Sequence, residues 1–279
     1  MASVREALSA AADGLGAAGV EAPRLDAEVL LAEATGLDRA MLVVSPETEV
    51  PPPAARRFGE LVRRRLRREP VAYIVGRRGF RRLELAVDRR VLVPRPETEL
   101  LVEVALERAP ASLLDVGTGS GAIALAVADE LPACAVSATD TSEGALEVAR
   151  ANAARLGLAE RVRFLAGTIP PGEEFDLVLA NLPYVAERDW SSLQPEVSQW
   201  EPREALLAGA DGLDAIRTLL AECGRGLARI AGQSSTALAL EVGEGQAPAV
   251  TALLAAAGFG SIETRRDLAG IERVVLGER

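Results

Sequence analysis

From residue 3 to about residue 75 apolar side chains recur at three- and four-residue spacing, in "VREALSAAADGLGAAG", "PRLDAEVLLAEATG" and "PAARRFGELVRRRLRRE", with proline and glycine between the runs. That spacing predicts amphipathic helices. No alternating stretch interrupts them, so a small helical bundle with its own core is expected. The period changes between Gly79 and Val93, where "FRRLELAVDRRVLV" alternates apolar and charged residues with Asp88-Arg89 near a turn. Alternation of this kind predicts a β-hairpin, here one that joins two domains. "PRPETELLVEVALERA" then begins a helix, with prolines ahead of it and Glu97 and Glu99 near its positive end.

Beyond Ala111 short apolar runs alternate with helical ones. "SLLDVG" (112–117), "CAVSATD" (134–140), "RVRFLA" (161–166), "FDLVLA" (175–180) and "TALALEV" (236–242) read as strands of βαβ units in a parallel sheet. "SIETRRD" and "ERVVLG" close the chain as a final hairpin. The expected fold is therefore α/β: a Rossmann-like domain with a seven-stranded, mostly parallel sheet, preceded by a helical bundle and a hairpin linker. The expected boundaries are 1–76 for the bundle, 77–95 for the linker and 96–279 for the α/β domain.

Composition narrows the chemistry. A chain of 279 residues suits one large or two modest domains. It has no histidine, and all 31 of its basic residues are arginine. That removes a histidine base, a histidine metal ligand, a Schiff-base lysine and a P-loop lysine. Two cysteines, Cys134 and Cys223, make neither a disulfide framework nor a metal cluster, and no metal is expected. "AIALAVA" (122–128) is too short to span a membrane, and "MASVREAL" has charges where an export signal would be apolar. A cytoplasmic protein, with no membrane partner, is the expectation.

The net charge of −10 argues against an all-over nucleic-acid binder. Between Arg56 and Arg95, however, fourteen arginines face four acids (Glu60, Glu69, Glu84 and Asp88). This stretch reads either as a solvated helix face or as a surface for an anionic partner.

"LLDVGTGSGAIALAVA" is a strand, a glycine turn and a helix in succession. Gly117, Gly119 and Gly121 allow a tight turn and close backbone approach, with Thr118 and Ser120 between them, and the helix N-terminus offers free N–H groups. Gly117-x-Gly119-x-x-Ala122 also satisfies the dinucleotide fingerprint, which keeps a nicotinamide enzyme open. Asp140 ends the next strand, where a carboxylate can accept from both ribose hydroxyls of an adenosine, or cap the helix begun by "TDTSEGALEVA". Asp115, two residues ahead of the loop, tilts the reading toward an S-adenosylmethionine site. It could take the methionine ammonium or simply fix the loop.

"FDLVLANLPYV" runs a buried strand into Asn181-Leu182-Pro183-Tyr184. Ligands of open α/β sheets bind beyond the carboxyl ends of the strands, so this tetrapeptide falls beside the cofactor. A methyl donor next to an amide carbonyl and an aromatic face suggests methylation of a planar amino nitrogen. The lone pair of such a nitrogen is delocalised, so two acceptors gripping its N–H groups would orient it and stabilise the charge that develops. Asn181 Oδ1 and the Leu182 carbonyl can be those acceptors, and Tyr184 can stack on the flat substrate. The bland alternative is a turn, since Asn and Pro are common there.

The chain resembles the release factor glutamine methyltransferases, the HemK/PrmC family, over essentially its whole length. The resemblance lies in "EPVAYIVGRRGF", "VDRRVLVPRPETELLVE", "LLDVGTGSGAIALA", "FDLVLANLPYV", "EPREALLAGADGLDAI", "LEVGEGQ" and "RDLAGIERVV". It implies an S-adenosylmethionine-dependent enzyme, with S-adenosylhomocysteine as product, that methylates the Gly-Gly-Gln glutamine of class-1 peptide chain release factors as a monomer. The cofactor site it implies is Asp115, the 117–121 loop, Asp140 and Asn181, with Asn181 to Tyr184 catalytic. Two departures stand out. Leu182 replaces the family's first proline, and Gly167 stands where an Asp often lies close to the adenine, leaving Thr168 or backbone groups for that role. The rival readings are an amino-methyltransferase acting on adenine or guanine in nucleic acid, a binding module whose active motif has decayed at Leu182, and a nicotinamide dehydrogenase. No DNA target is expected, because the net charge is acidic and the extra domain small.

Overall fold

The structure is a computed structural model that describes residues 2–226 and 236–279. It divides into two compact units, Met1–Arg77 with Gln194–Trp200, and Arg78–Leu193 with Glu201–Arg279.

The first unit is helical: α1 (Val4–Ala17), α2 (Pro23–Thr35), α3 (Arg39–Val44), α4 (Pro52–Leu66) and α5 (Val71–Val75). Ser3 and Glu6 form a reciprocal capping box at the start of α1. Pro23 and Pro52 open α2 and α4, where a missing N–H costs nothing. The apolar stripes anticipated from spacing meet in one core of Leu8, Leu15, Leu30, Leu31, Phe58 and Leu61.

Sequence reading places residues 194–200 in the α/β domain; they cluster instead with the helices. The reason is electrostatic. Arg68 holds Glu196 in a bidentate pair at 2.7 and 2.6 Å, and Arg65 reaches the same carboxylate at 2.7 Å and Asp26 at 2.7 Å. Arg65 is nearly buried, so these partners neutralise a charge that has little water around it.

Acids from outside the stretch also answer much of the arginine excess at 56–95. Within the helical unit Arg65 and Arg68 take Asp26 and Glu196, and Arg77 takes Glu33. Within the second unit Arg81 takes Glu130, Arg90 takes Glu147, and Arg95 takes Glu201. For these side chains the ion pairs are internal. Arg56 and Arg63 stay exposed along α4, as does Arg67 at its C-cap.

The second unit begins with a hairpin of β1 (Arg77–Phe80) and β2 (Leu83–Ala86). This corrects the expected turn at Asp88-Arg89: the chain reverses at Arg81-Arg82, with Arg81 at φ 51°. Asn152 ends the second strand by pairing both backbone groups of Ala86, at 2.7 and 3.0 Å. Val87, Val91 and Val93 alternate because they are buried individually in irregular chain, which mimics a strand in the sequence. Phe80 and Leu85 join the core of the second unit.

Helix α6 (Glu99–Arg108) follows a short 3-10 turn at Pro96–Thr98. Then come β3 (Ser112–Val116), α7 (Ala122–Glu130), β4 (Ala135–Asp140), α8 (Glu143–Arg155), β5 (Val162–Ala166) and β6 (Leu177–Ala180). The last elements are α9 (Asp214–Gly226), β7 (Ala237–Glu241), α10 (Ala247–Ala256), β8 (Gly260–Arg266) and β9 (Glu272–Glu278). The seven-stranded sheet has the order β5-β4-β3-β6-β7-β9-β8, parallel except where β9 runs against β7 and β8. Alternate residues enter two cores: Leu113, Leu177 and Ala239 face one, Leu114, Val178 and Leu240 the other. Both faces of the sheet are covered, as its nearly continuous apolar strands require.

Chain order reverses between β3 and β6, which makes that edge the switch point. Thr139, Val116, Ala180 and Leu240 form one row across β4, β3, β6 and β7. The residues one step beyond that row are Asp140, Gly117, Asn181 and Glu241.

The Glu196 cluster yields a stability prediction. Burial raises the Glu196 pKa, but the hydrogen bonds from Arg68 and Arg65 outweigh it and hold the group below the usual 4.5. A depressed carboxyl contributes stability above its unfolded pKa, and that contribution is lost as pH falls through the folded value. Glu196→Ala should cost about 3 kcal/mol at neutral pH, because it strips a partner from a buried cation. Arg57→Ala, at an exposed pair with Glu60, should cost less than about 0.5 kcal/mol. Urea unfolding monitored at both pH 7 and pH 4 checks the pair, and the Glu196 penalty should shrink at the lower pH.

Candidate active site

A cleft opens at the switch point of the second unit. Its lining includes Gly117, Thr118, Gly119 and Ser120 from the glycine loop, Asp140 from the end of β4, and Asn181, Leu182 and Pro183 from the end of β6. Val91, Leu92 and Pro94 supply an apolar wall, with Gly167 and Thr168 beyond β5. Of the polar lining, sequence reasoning names Thr118, Ser120, Asp140, Thr168 and Asn181 and misses Thr98, Thr141, Ser142 and Glu204.

The three loop glycines have φ of 74°, 56° and 84°, a region that side chains with Cβ avoid. They differ in what surrounds them. A Cβ on Gly121 would meet Leu125 Cδ1 at 2.9 Å, and one on Gly117 would meet Leu182 Cδ2 at 3.1 Å. Nothing lies within 4 Å of the Cβ position of Gly119, which faces open space. Gly121 therefore serves helix packing, while Gly119 leaves room for a ligand against the backbone.

Asp140 does two things at once. Its Oδ2 accepts from Gly119 N at 2.9 Å and its Oδ1 from Ser142 N at 2.9 Å. It does not cap α8; Ser142 does, accepting from Ala145 N. Each Asp140 oxygen keeps a second acceptor direction, as binding two adjacent hydroxyls requires.

Asp115 is fully buried and lies outside the cleft lining. Its Oδ2 accepts from the Thr118 hydroxyl at 2.6 Å and from Ala124 N at 3.2 Å, tying the loop to the start of α7. Oδ1 has no partner. Burial pushes this carboxyl up to about 7 against the lowering effect of those two donors. Loop fixing is the role visible in these contacts.

The Asn181–Tyr184 segment is clamped from several elements. Asn181 Nδ2 donates to Thr98 Oγ1 at 3.0 Å. Val185 N donates to Leu206 O at 2.8 Å, and Ala208 N to Val185 O at 3.0 Å. Gln246 Nε2 donates to Tyr184 O at 2.9 Å while Gln246 Oε1 accepts from Gly243 N at 2.9 Å. A Cβ on Gly212 would stand 2.3 Å from Tyr184 O, and one on Gly243 would stand 3.2 Å from the Tyr184 ring. These contacts give "ALLAGADGL" and "EVGEGQ" a physical purpose: they hold the tetrapeptide. Tyr184 itself is outside the cleft lining, and burial pushes its phenol up to about 12.

Residues that pattern reading missed are Thr98, Asn152, Glu241 and Gln246. Asn152 is fully buried and donates to Ser120 O at 2.9 Å as well as to the hairpin, so it links β2 to the glycine loop. Its helical spacing gave no sign of this. Thr168, one of the two alternatives for the adenine, lines the cleft, and its hydroxyl donates to Glu222 on α9.

The residues suit S-adenosylmethionine. Gly119 leaves a space beside the backbone, Asp140 can receive two hydroxyls, and Val91, Leu92 and Pro94 offer an apolar wall for a base.

Comparison with known proteins gives the family. The family model described as PrmC N-terminal domain matches residues 6–76, and the one described as Methyltransferase domain matches residues 113–200. A release factor glutamine methyltransferase of Caulobacter vibrioides is 42% identical over 98% of this chain and 95% of its own. One of Geobacter sulfurreducens is 40% identical, over 99% and 96%, and one of Moorella thermoacetica 43% identical, over 99% of both. Among solved structures, the human Mettl16 catalytic domain in complex with a MAT2A 3'UTR hairpin superposes with a TM-score of 0.56 at 13% identity, covering 69% of this chain and 74% of that one. A methyltransferase from Pyrococcus furiosus gives 0.50 at 18% identity, over 70% and 88%. At those identities the structural likeness concerns the fold alone. Likeness of about 40% along almost the entire length of the curated relatives is a different matter, and by it this chain belongs to the release factor glutamine methyltransferase family of S-adenosylmethionine-dependent enzymes.

Proposed function

We propose that the protein transfers a methyl group from S-adenosylmethionine to the side-chain amide nitrogen of the glutamine in the Gly-Gly-Gln motif of class-1 peptide chain release factors. One observation carries the reading: Asn181, Leu182 and Pro183 line the same cleft as the glycine loop and Asp140. An acceptor for a planar nitrogen and a holder for an adenosine therefore share one space.

When bound, S-adenosylmethionine supplies an electrophilic methyl group on a sulfonium. Gly117, Thr118, Gly119 and Ser120 would provide the backbone beside it and Asp140 would receive its ribose hydroxyls, while Asp115, buried outside the cleft lining, would hold the loop in place through Thr118 and Ala124. Asn181 Oδ1 and the Leu182 carbonyl accept the two N–H groups of the glutamine amide. This orients the nitrogen and stabilises the positive charge it gains. Tyr184 is the aromatic neighbour for the flat amide, braced by Gly243 and Gln246. The methylated nitrogen is acidic enough to release its proton to water, so a chain without histidine can complete the transfer. The release factor places the reaction in the cytoplasm. Among the described residues, no helix is long and apolar enough to cross a membrane.

Leu182 fits this scheme. The acceptor at that position is a backbone carbonyl, which leucine has as well as proline. Pro183 restricts Leu182 to extended conformations, so the carbonyl is partly pre-set. The side chain also packs on Gly117 and joins the adjoining core.

Two predictions follow from these roles. Asp140→Asn should weaken S-adenosylmethionine binding by about 1.5–3 kcal/mol, the range for hydrogen bonds to a charged group, as read by calorimetry; unchanged affinity would remove Asp140 from the donor site. With a release factor as substrate, Asn181→Ala should lower kcat about a hundredfold, equivalent to about 2.7 kcal/mol, while Leu182→Pro should change it by no more than about tenfold. Wild-type protein that binds donor yet shows no turnover until Leu182→Pro restores it would establish a decayed binding module instead.

A further inference from the structure

Local bonds hold the glycine loop on two sides. Gly119 N donates to Asp140 Oδ2 at 2.9 Å, and Gly121 N closes the turn on Thr118 O at 2.8 Å. The third hold is remote. Ser120 O accepts from Nδ2 of Asn152, on α8, at 2.9 Å, across 32 residues of sequence.

The same amide holds a second element. Asn152 Oδ1 accepts from Ala86 N at 2.7 Å, and Nδ2 donates its other hydrogen to Ala86 O at 3.0 Å. Arg155 Nη2 stands 3.4 Å from Oδ1, on its remaining lone pair. Every position of the carboxamide is used. Its direction is settled too, because two carbonyls can only accept and one N–H can only donate. Asn152 is fully buried and Ser120 is 3% exposed, so water does not replace a lost bond there.

Ala86 is the last residue of the hairpin, and the wall of the cleft begins soon after it. Arg90, Val91, Leu92, Pro94 and Arg95 line the cleft together with Ser120, whereas Ala86 and Asn152 do not. One buried amide therefore anchors both the loop and the root of the wall. The Ser120 carbonyl and the Gly121 N–H belong to a single peptide. Released from Asn152, that peptide can turn over, since Gly121 tolerates either sign of φ, and the bond that closes the turn goes with it.

We infer that Asn152 is a positioning residue for S-adenosylmethionine, holding the glycine loop and the root of the apolar wall in register with each other. This role rests on the proposed cofactor site at the 117–121 loop. Linkage makes it reciprocal: if the ordered amide favours bound cofactor, bound cofactor stabilises the bonds of the amide, the one to Ala86 included.

The test compares Asn152→Ala and Asn152→Asp with Leu276→Ala, a truncation in the core on β9 whose strand partners are Ala239 and Glu263. The Asp variant keeps an acceptor for Ala86 N but has no NH2 for Ser120 O. Cofactor affinity is read by calorimetry at a temperature where circular dichroism shows each protein folded. Both Asn152 variants should raise the Kd at least about tenfold, the equivalent of one hydrogen bond. Their kcat on a release factor at saturating cofactor should stay within about threefold of wild type, because the acceptor end is intact. Leu276→Ala, distant and independent, should leave the Kd within about twofold. Hydrogen exchange on the wild type needs no variant to fold. S-adenosylmethionine should slow Ala86 N–H at least about tenfold, and Arg81 N–H, at the hairpin turn, less than about threefold. A Kd increase in a folded Asn152 variant no greater than that of Leu276→Ala overturns the inference, and so does equal slowing, or none, at Ala86 and Arg81. Either result beside a weakened Asp140→Asn would leave the cofactor site standing. Asp140→Asn binding as tightly as wild type would remove that site, and the role of Asn152 with it.

Discussion

Parallel pairing across β4, β3, β6 and β7 sets Thr139, Val116, Ala180 and Leu240 in one row, and the next residues along three of these strands, Asp140, Gly117 and Asn181, line the cleft. Asp140, Gly117, Asn181 and Glu241 come from four distant parts of the sequence. No local motif could hold them level; the hydrogen-bonded register does. A slip of one residue in any strand would turn its apolar side chains to the opposite core and carry its terminal residue out of the row. The two cores that accept alternate residues of β3, β6 and β7 therefore guard the geometry of the cleft as well as the stability of the fold.

Buried polar groups do the finer adjustment. Asp115 gathers the Thr118 hydroxyl and Ala124 N–H, Asn152 joins the hairpin to the glycine loop, and Gln246 binds Tyr184 O while receiving Gly243 N. A satisfied buried polar network is rigid because each unmade bond in a low-dielectric interior is costly. These bonds tie the loops that border the cleft to the sheet and helices around them.

Legibility in the sequence followed the range of the interactions. Period alone gave all seven strands of the large sheet, to within a residue or two at their ends, and the main helices, because each is shaped by its own burial pattern. The glycine loop, Asp140 and Asn181 could be placed together because strand-end residues of a parallel sheet converge by topology. The hairpin turn could not be placed: Val87, Val91 and Val93 alternate like a strand, yet each is buried singly after Asn152 has ended β2. Arginine counting misled in a similar way, since the acids answering Arg65, Arg68, Arg81 and Arg95 lie 39 or more residues away in sequence. Thr98 was invisible for the same reason, as 83 residues separate it from Asn181. Leu182 was legible as a departure, and its packing on Gly117 shows how a leucine is accommodated there.

The central claim is that this cleft exists to methylate one glutamine. It is tested most directly by incubating the protein with S-adenosylmethionine and a class-1 release factor, then mapping methylation by peptide mass spectrometry. The account predicts a single added methyl group on the side-chain amide of the Gly-Gly-Gln glutamine, with none on nucleic acid supplied in the same reaction. A methylated base, or an unmodified glutamine under conditions where the donor is bound, would contradict it.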